Sequence, residues 1–93
     1  MKDRISRVQI VPIKPVNDLL GFVSFILDDS FYFGAIGIHS TPSGRFRLTY
    51  PTRKHEGHIF PIYHPINKET ADSIEAVIGE KYRDVLMIVR DGE

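Results

Sequence analysis

The stretch His58–Thr70, HIFPIYHPINKET, places two histidines and two prolines in an apolar run that ends in a helix-start signal. Ile59-Phe60 and Ile62-Tyr63 have the β-branched and aromatic content of a short strand. Pro61 cannot donate to a ladder, so that strand must be short, bulged or at an edge. Asn67 is a favourable N-cap and Glu69 sits near the positive helix end, so a helix is expected from about Lys68. The stretch reads as the last strand of a sheet turning into a helix.

Downstream, Ala71, Ile74, Val77, Ile78 and Tyr82 recur at the three- and four-residue spacing of an amphipathic helix. Residues 84–89, DVLMIV, fit either an added helical turn or a sixth strand, and continued helix is the preferred reading. Upstream, Arg4–Ile13 alternates Val8 and Ile10 against Arg7 and Gln9, and Pro12 and Pro15 mark its end and an edge position. PVNDLLG is the turn into a second strand, Leu20–Asp28, with Val23, Phe25 and Leu27 on one face. DDS connects tightly to Phe31–His39, where Gly34 and Gly37 signal a bulge or a close backbone approach. STPSG is a loop, RFRLTY a half-buried strand with Phe46, Leu48 and Tyr50 inward, and PTRKHEG a second loop. The order predicts an α+β fold: a twisted antiparallel meander of about five strands, then one C-terminal amphipathic helix, in a single domain spanning 1–93.

The 93 residues are 42% hydrophobic and 26% charged, the composition of a globular domain rather than a disordered tail. Twelve basic and twelve acidic side chains cancel, so no global field draws the chain to nucleic acid or anionic lipid, and such binding needs a local patch. The absence of cysteine excludes disulfides, thiolate ligands and a thiol nucleophile, and fits a reducing cytoplasm. Gln9, Pro12, Lys14 and Pro15 break any signal core near the N-terminus, and no run reaches the length of a membrane span. A soluble cytoplasmic protein is expected.

His55-x-x-His58 has a spacing seen among metal ligands, but structural zinc sites usually recruit cysteine, and only Glu56 is nearby as a carboxylate. His64, before Pro65, suits backbone hydrogen bonding at the strand-to-helix corner better than base catalysis, since nothing in the sequence sets a nucleophile beside it. The basic group is more informative. Arg45 and Arg47 share the solvent face of the fourth strand, and Arg53-Lys54 follow in the next loop. Side chains two apart on a strand face recur every 6–7 Å or so, close to the repeat of phosphates along a nucleic-acid strand. His55 and His58 can extend that stripe, and Tyr50 or Tyr63 would supply a stacking surface if exposed. The alternative is a solvated charged face.

FVSFILDDSFYFGAIGI, FRLTYPTRK and YHPINKETADSIEAVIGEKY together resemble the SpoVG (stage V sporulation protein G) family in order and spacing. The resemblance rests on Leu27-Asp28 with Phe31, on Pro51-Thr52-Arg53-Lys54, and above all on His64-Pro65-Ile66-Asn67-Lys68, and covers roughly residues 4 to 83. It implies a homodimer of the same fold that binds DNA and RNA as a regulator linked to septum formation and sporulation, without enzymatic activity or cofactor. Family binding is associated with basic residues that map onto Arg53 and Lys54; Arg45 and Arg47 are added from strand alternation. The chain departs from the pattern at Gly34, Ala35 and Gly37, in the loop after Lys54, and at Phe60 or Pro61, where the family usually has arginine. The alternative function is an interaction module of the division machinery that does not bind nucleic acid. A sheet with one helix leaves an open edge and an uncovered face, which gives dimerisation an independent motive.

Overall fold

The computed structural model describes residues 2–91. A short 3-10 turn, Lys2–Arg4, leads into β1 (Ile5–Val16), β2 (Leu19–Leu27), β3 (Phe31–Ser40) and β4 (Phe46–Thr49). These pair antiparallel in sequence order, the expected meander. A separate two-stranded ribbon follows, β5 (Thr52–His55) with β6 (His58–Pro61), and then helix α1 (Lys68–Asp91). The α+β class holds, with two differences from the expected layout. The strands number six in two sheets, and Thr52–His55, read as loop, is a strand.

Left-handed backbone makes the turns. Asn17 (φ 57°), and Asp28 and Asp29 (φ 54° and 53°), occupy the connections after β1 and β2. Asn and Asp tolerate that region because their short polar side chains bond locally. The guanidinium of Arg4 forks onto the Asp28 carboxylate with two bonds of 2.7 Å, tying the start of β1 to the β2–β3 turn. Neither Pro12 nor Pro15 ends β1, which continues to Val16. An edge strand has one side free of ladder bonds, and β1 is the sheet edge that the prolines anticipate.

Two bulges reset the inward face. The β1–β2 register slips between Ser6 and Gln9, with Arg7 at φ 50°, so Ile5 as well as Val8 and Ile10 reaches the core. The β2–β3 register slips between Val23 and Phe25, opposite Gly34 and Ala35, which turns both Phe33 and Ile36 inward. Gly37 answers to a close approach: a Cβ there would lie 2.6 Å from Thr49 Oγ1 on β4.

Helix α1 covers one face of the four-stranded sheet. Ile74, Ile78 and Tyr82 are buried against Ile5, Val23, Phe25, Ile36, Ile38 and Leu48. The helix begins as expected: Asn67 Oδ1 accepts from the Thr70 N–H at 2.7 Å, and the Asn67 carbonyl accepts from the Ala71 N–H at 3.1 Å. Asn67→Ala should therefore cost about 1 kcal/mol of folding free energy in a denaturant titration, and a cost near zero would mean that water replaces the cap. Residues 84–89 are helical, as preferred. Among the described residues, no helix is long and apolar enough to cross a membrane.

Candidate nucleic-acid interface

The β5–β6 ribbon is closed by the two-residue turn Glu56-Gly57, with both residues left-handed at φ 52° and 79°. That geometry matches the twist of a tight hairpin and suits Gly in the second place. The register is Thr52 with Pro61, Arg53 with Phe60, Lys54 with Ile59 and His55 with His58. Directly opposed residues share a face and neighbours in sequence do not. One ribbon face thus carries Arg53, His55, His58 and Phe60, and the other Thr52, Lys54, Ile59 and Pro61. All eight residues are exposed.

Of the four expected cations, Arg53 and Lys54 lie in the ribbon and Arg47 in the four-stranded sheet, while Arg45, expected on the fourth strand, falls in the loop before it because β4 starts only at Phe46. Arg53 and Lys54 lie on β5, on opposite ribbon faces, and neither has an ion-pair partner among the described residues. Arg47 is exposed on β4 beside His39 of β3, and its Nη2 lies 3.3 Å from Asp18 Oδ2. The other Asp18 oxygen is 3.0 Å from His39 Nδ1, and His39 Nε2 is 2.8 Å from Thr49 Oγ1. Arg45 lies just before β4 and lines a groove of about 400 Å³ with Asp72, Glu75, Glu80 and Arg83 of α1. The charges of Arg45 and Arg47 are thus offset by neighbouring carboxylates.

The hydrogen bond from His39, aided by Arg47, holds the Asp18 carboxyl below its ordinary value of 3.8. The bond from Arg4, with the charge of that guanidinium, does the same for Asp28. Both acids bind protons less readily folded than unfolded. Their stabilisation is present above the ordinary carboxylate range and is lost as the pH falls through the lowered values. The thermal midpoint should therefore drop between about pH 5 and about pH 2, and Asp28→Asn should shrink that drop. An identical drop in the variant would remove Asp28 from the acid response.

The two tyrosines proposed for stacking are committed elsewhere. Tyr63 packs on Phe33 with centroids 4.8 Å apart and meets Tyr50 edge-on at 6.0 Å. Its hydroxyl donates to the Gly34 carbonyl. The Tyr50 hydroxyl is buried without a hydrogen-bond partner among the described residues, and burial above all, with Glu75 and Tyr63, pushes its pKa up to about 12. Phe22, Phe31 and Tyr32 are exposed on the four-stranded sheet, and on the ribbon the exposed aromatic ring is Phe60, 51% accessible, with the His58 ring 6.3 Å away on the same face. Sequence reasoning missed it because the hairpin was missed. The signal was Glu56-Gly57 between two four-residue segments, TRKH and HIFP.

His64 Nδ1 lies 2.9 Å from the Pro65 carbonyl oxygen, the backbone contact expected at the corner. Among the described residues, no group of three or more His, Cys, Asp or Glu side chains is gathered as a metal ion would need.

These features define a small α+β protein whose sheet-and-helix body bears an exposed two-stranded ribbon with two cations that have no ion-pair partner among the described residues. The chain belongs to the SpoVG family, whose model matches residues 3–84. Over 84 residues it is 37% identical to "Putative septation protein SpoVG" of Phytoplasma australiense, covering 89% of this chain and 86% of that one. The protein of the same name from Caldicellulosiruptor bescii is 33% identical over 84 residues, 89% of this chain and 94% of the relative. That from Bdellovibrio bacteriovorus is 33% identical over 82 residues, 86% and 76% of the two chains. The likeness seen in His64-Pro65-Ile66-Asn67 is therefore family membership.

Proposed function

We propose that this chain is a cytoplasmic, homodimeric regulator that binds DNA or RNA, with no catalytic step and no cofactor. The observation that carries the reading is the ribbon: Arg53 and Lys54 stand on an exposed strand without a carboxylate partner among the described residues. A local patch of this kind lets a chain of zero formal charge hold phosphates. Arg47 and Arg45 are auxiliary, since phosphate must compete there with Asp18 and with the helix carboxylates. The relatives' name ties them to septation, and we extend that role, with the sporulation in the family name, to this chain. The dimer has a motive in Ile59, Ile62 and Ile66, which are 69%, 60% and 90% exposed, more apolar surface than a small monomer usually leaves wet.

The test is fluorescence anisotropy of labelled single-stranded RNA and double-stranded DNA against the purified protein across a salt series. Saturable binding that weakens with salt is the expected result. Flat curves at low salt overturn the reading.

The same exposed isoleucines, on a chain without net charge, favour a second reading: an interaction module of the division machinery. It predicts that proteins captured on the immobilised chain survive nuclease treatment. Their loss under nuclease counts against it.

A further inference from the structure

We infer that the ribbon face bearing Arg53, His55, His58 and Phe60 is a stacking platform for single-stranded nucleic acid, with Phe60 taking a base and Arg53 the adjoining phosphate. The inference rests on the nucleic-acid reading above and names the form of the ligand.

Register makes the platform. Arg53 and Phe60 are directly opposed, as are His55 and His58, so two rings from β6 and a cation from β5 meet on one side of a ribbon two strands wide. Opposed side chains in an antiparallel pair have Cβ atoms only about 4.5–5.5 Å apart, so a base lying on the Phe60 ring keeps its own phosphate within reach of the Arg53 fork. The nearest anion on the ribbon is Glu56 in the turn, 3.8 Å from His55 Nε2 and therefore at the far end from Arg53.

A duplex cannot use this surface fully. Its base faces are stacked inward, which leaves the ribbon only the Arg53 charge, whereas a single strand offers unstacked faces to aromatic rings. The opposite face, with Lys54, Ile59 and Pro61, has a cation but no ring. The pairing of cation and aromatic is thus confined to one side.

The experiment uses the full chain and its Phe60→Ala, Phe60→Leu and Phe60→Tyr variants, with labelled single-stranded RNA, single-stranded DNA and duplex DNA of equal length. Phe60 is exposed, so the variants should fold, and circular dichroism with light scattering checks fold and mass. Wild type should favour single strands. Phe60→Ala and Phe60→Leu should each lose roughly tenfold on single strands with little change on duplex, and Phe60→Tyr should keep the affinity. Equal RNA and DNA losses place recognition on the base faces; a larger RNA loss adds the 2′-hydroxyl and still supports the platform.

Wild-type affinity in Phe60→Leu overturns the inference, because leucine keeps the apolar bulk without the ring face. So does an equal loss on duplex and single strands. A drop in mass for Phe60→Ala also overturns it, by making the ring a seat for the second copy. If the wild type binds no nucleic acid at all, the broader functional reading has failed; if it binds and Phe60 is indifferent, only the platform has.

Discussion

Phe25→Ala should destabilise the protein by about 3–5 kcal/mol, enough to lower its thermal midpoint by roughly 15–30 °C. Phe25 is 2% exposed and is among the largest fully buried side chains. Its ring packs on Phe33 with centroids 5.5 Å apart, and it lines an apolar cavity of about 180 Å³ with Leu27, Tyr50, Tyr63 and Ile74. Deletion next to existing empty space enlarges that space, and the sheet cannot collapse into it because Val23 and Ile36 are held by the β2–β3 register. A domain of this size rarely has more than about 5–15 kcal/mol in hand, so the variant should sit near the threshold of folding at 37 °C. The comparison belongs at one protein concentration, since any dimer adds concentration-dependent stability. Denaturant titration should give a lower midpoint with an unchanged slope. A loss below about 1 kcal/mol would show that the helix and sheet meet elsewhere.

Much of this core was legible beforehand because it is written in periodicity. Ile74, Ile78 and Tyr82 follow the helical repeat, and Val23 and Phe25 or Phe46 and Leu48 follow the strand repeat. The bulge at Gly34-Ala35 lies where Gly34 signals a bulge or a close approach, but the one at Arg7 has no such mark, and the effect of either on the inward face was hidden for a physical reason. A bulge adds one residue and reverses the side-chain alternation, so Ile5 and Phe33 reach the core out of phase with their neighbours. Gly34 announced irregularity, but the non-glycine Ala35 adopts the positive φ of 58°.

Only half of the ribbon was legible: β6 reads as a short strand from its β-branched and aromatic content, although the strand stops at Pro61 rather than reaching Tyr63, whereas β5 and the pairing of the two carry no mark of burial. TRKH is polar throughout, and HIFP places Ile59 and Phe60 on opposite sides, so no face reads as inward. Burial is what imposes alternation, and a ribbon exposed on both faces has no reason to show it. The cost fell on the candidate site. Arg53 and Lys54 stand out in the sequence as neighbouring cations, but without strand geometry their divergence is hidden, and Phe60 reads only as strand content and, with Pro61, as the place where the family's arginine is missing. Arg47 and Arg45 had the opposite difficulty. The strand carrying Arg47 was legible, but Asp18, 29 residues from Arg47 in sequence, and the helix carboxylates beside Arg45 come close only through the fold.

That divergence sharpens the second large prediction, the combined Arg53→Ala and Lys54→Ala variant. On duplex DNA each lost phosphate contact should lower the slope of log affinity against log salt by about 0.9, so two lost contacts make the fall in affinity between 50 and 200 mM salt roughly tenfold smaller. At low salt the variant should bind correspondingly more weakly, with its helix and sheet content intact, because both side chains are exposed and neither supports the core. The single variants then report which side of the ribbon meets the ligand. If the strand lies on the Phe60 face, Arg53→Ala accounts for most of the change and Lys54→Ala for little; if the ligand wraps the free edge of β5, the two losses are comparable. An affinity and salt slope unchanged in the double variant would remove the ribbon from the interface altogether. The groove edged by Arg45 and Arg83 would then be the next cationic surface to test, and its three carboxylates predict weak binding there.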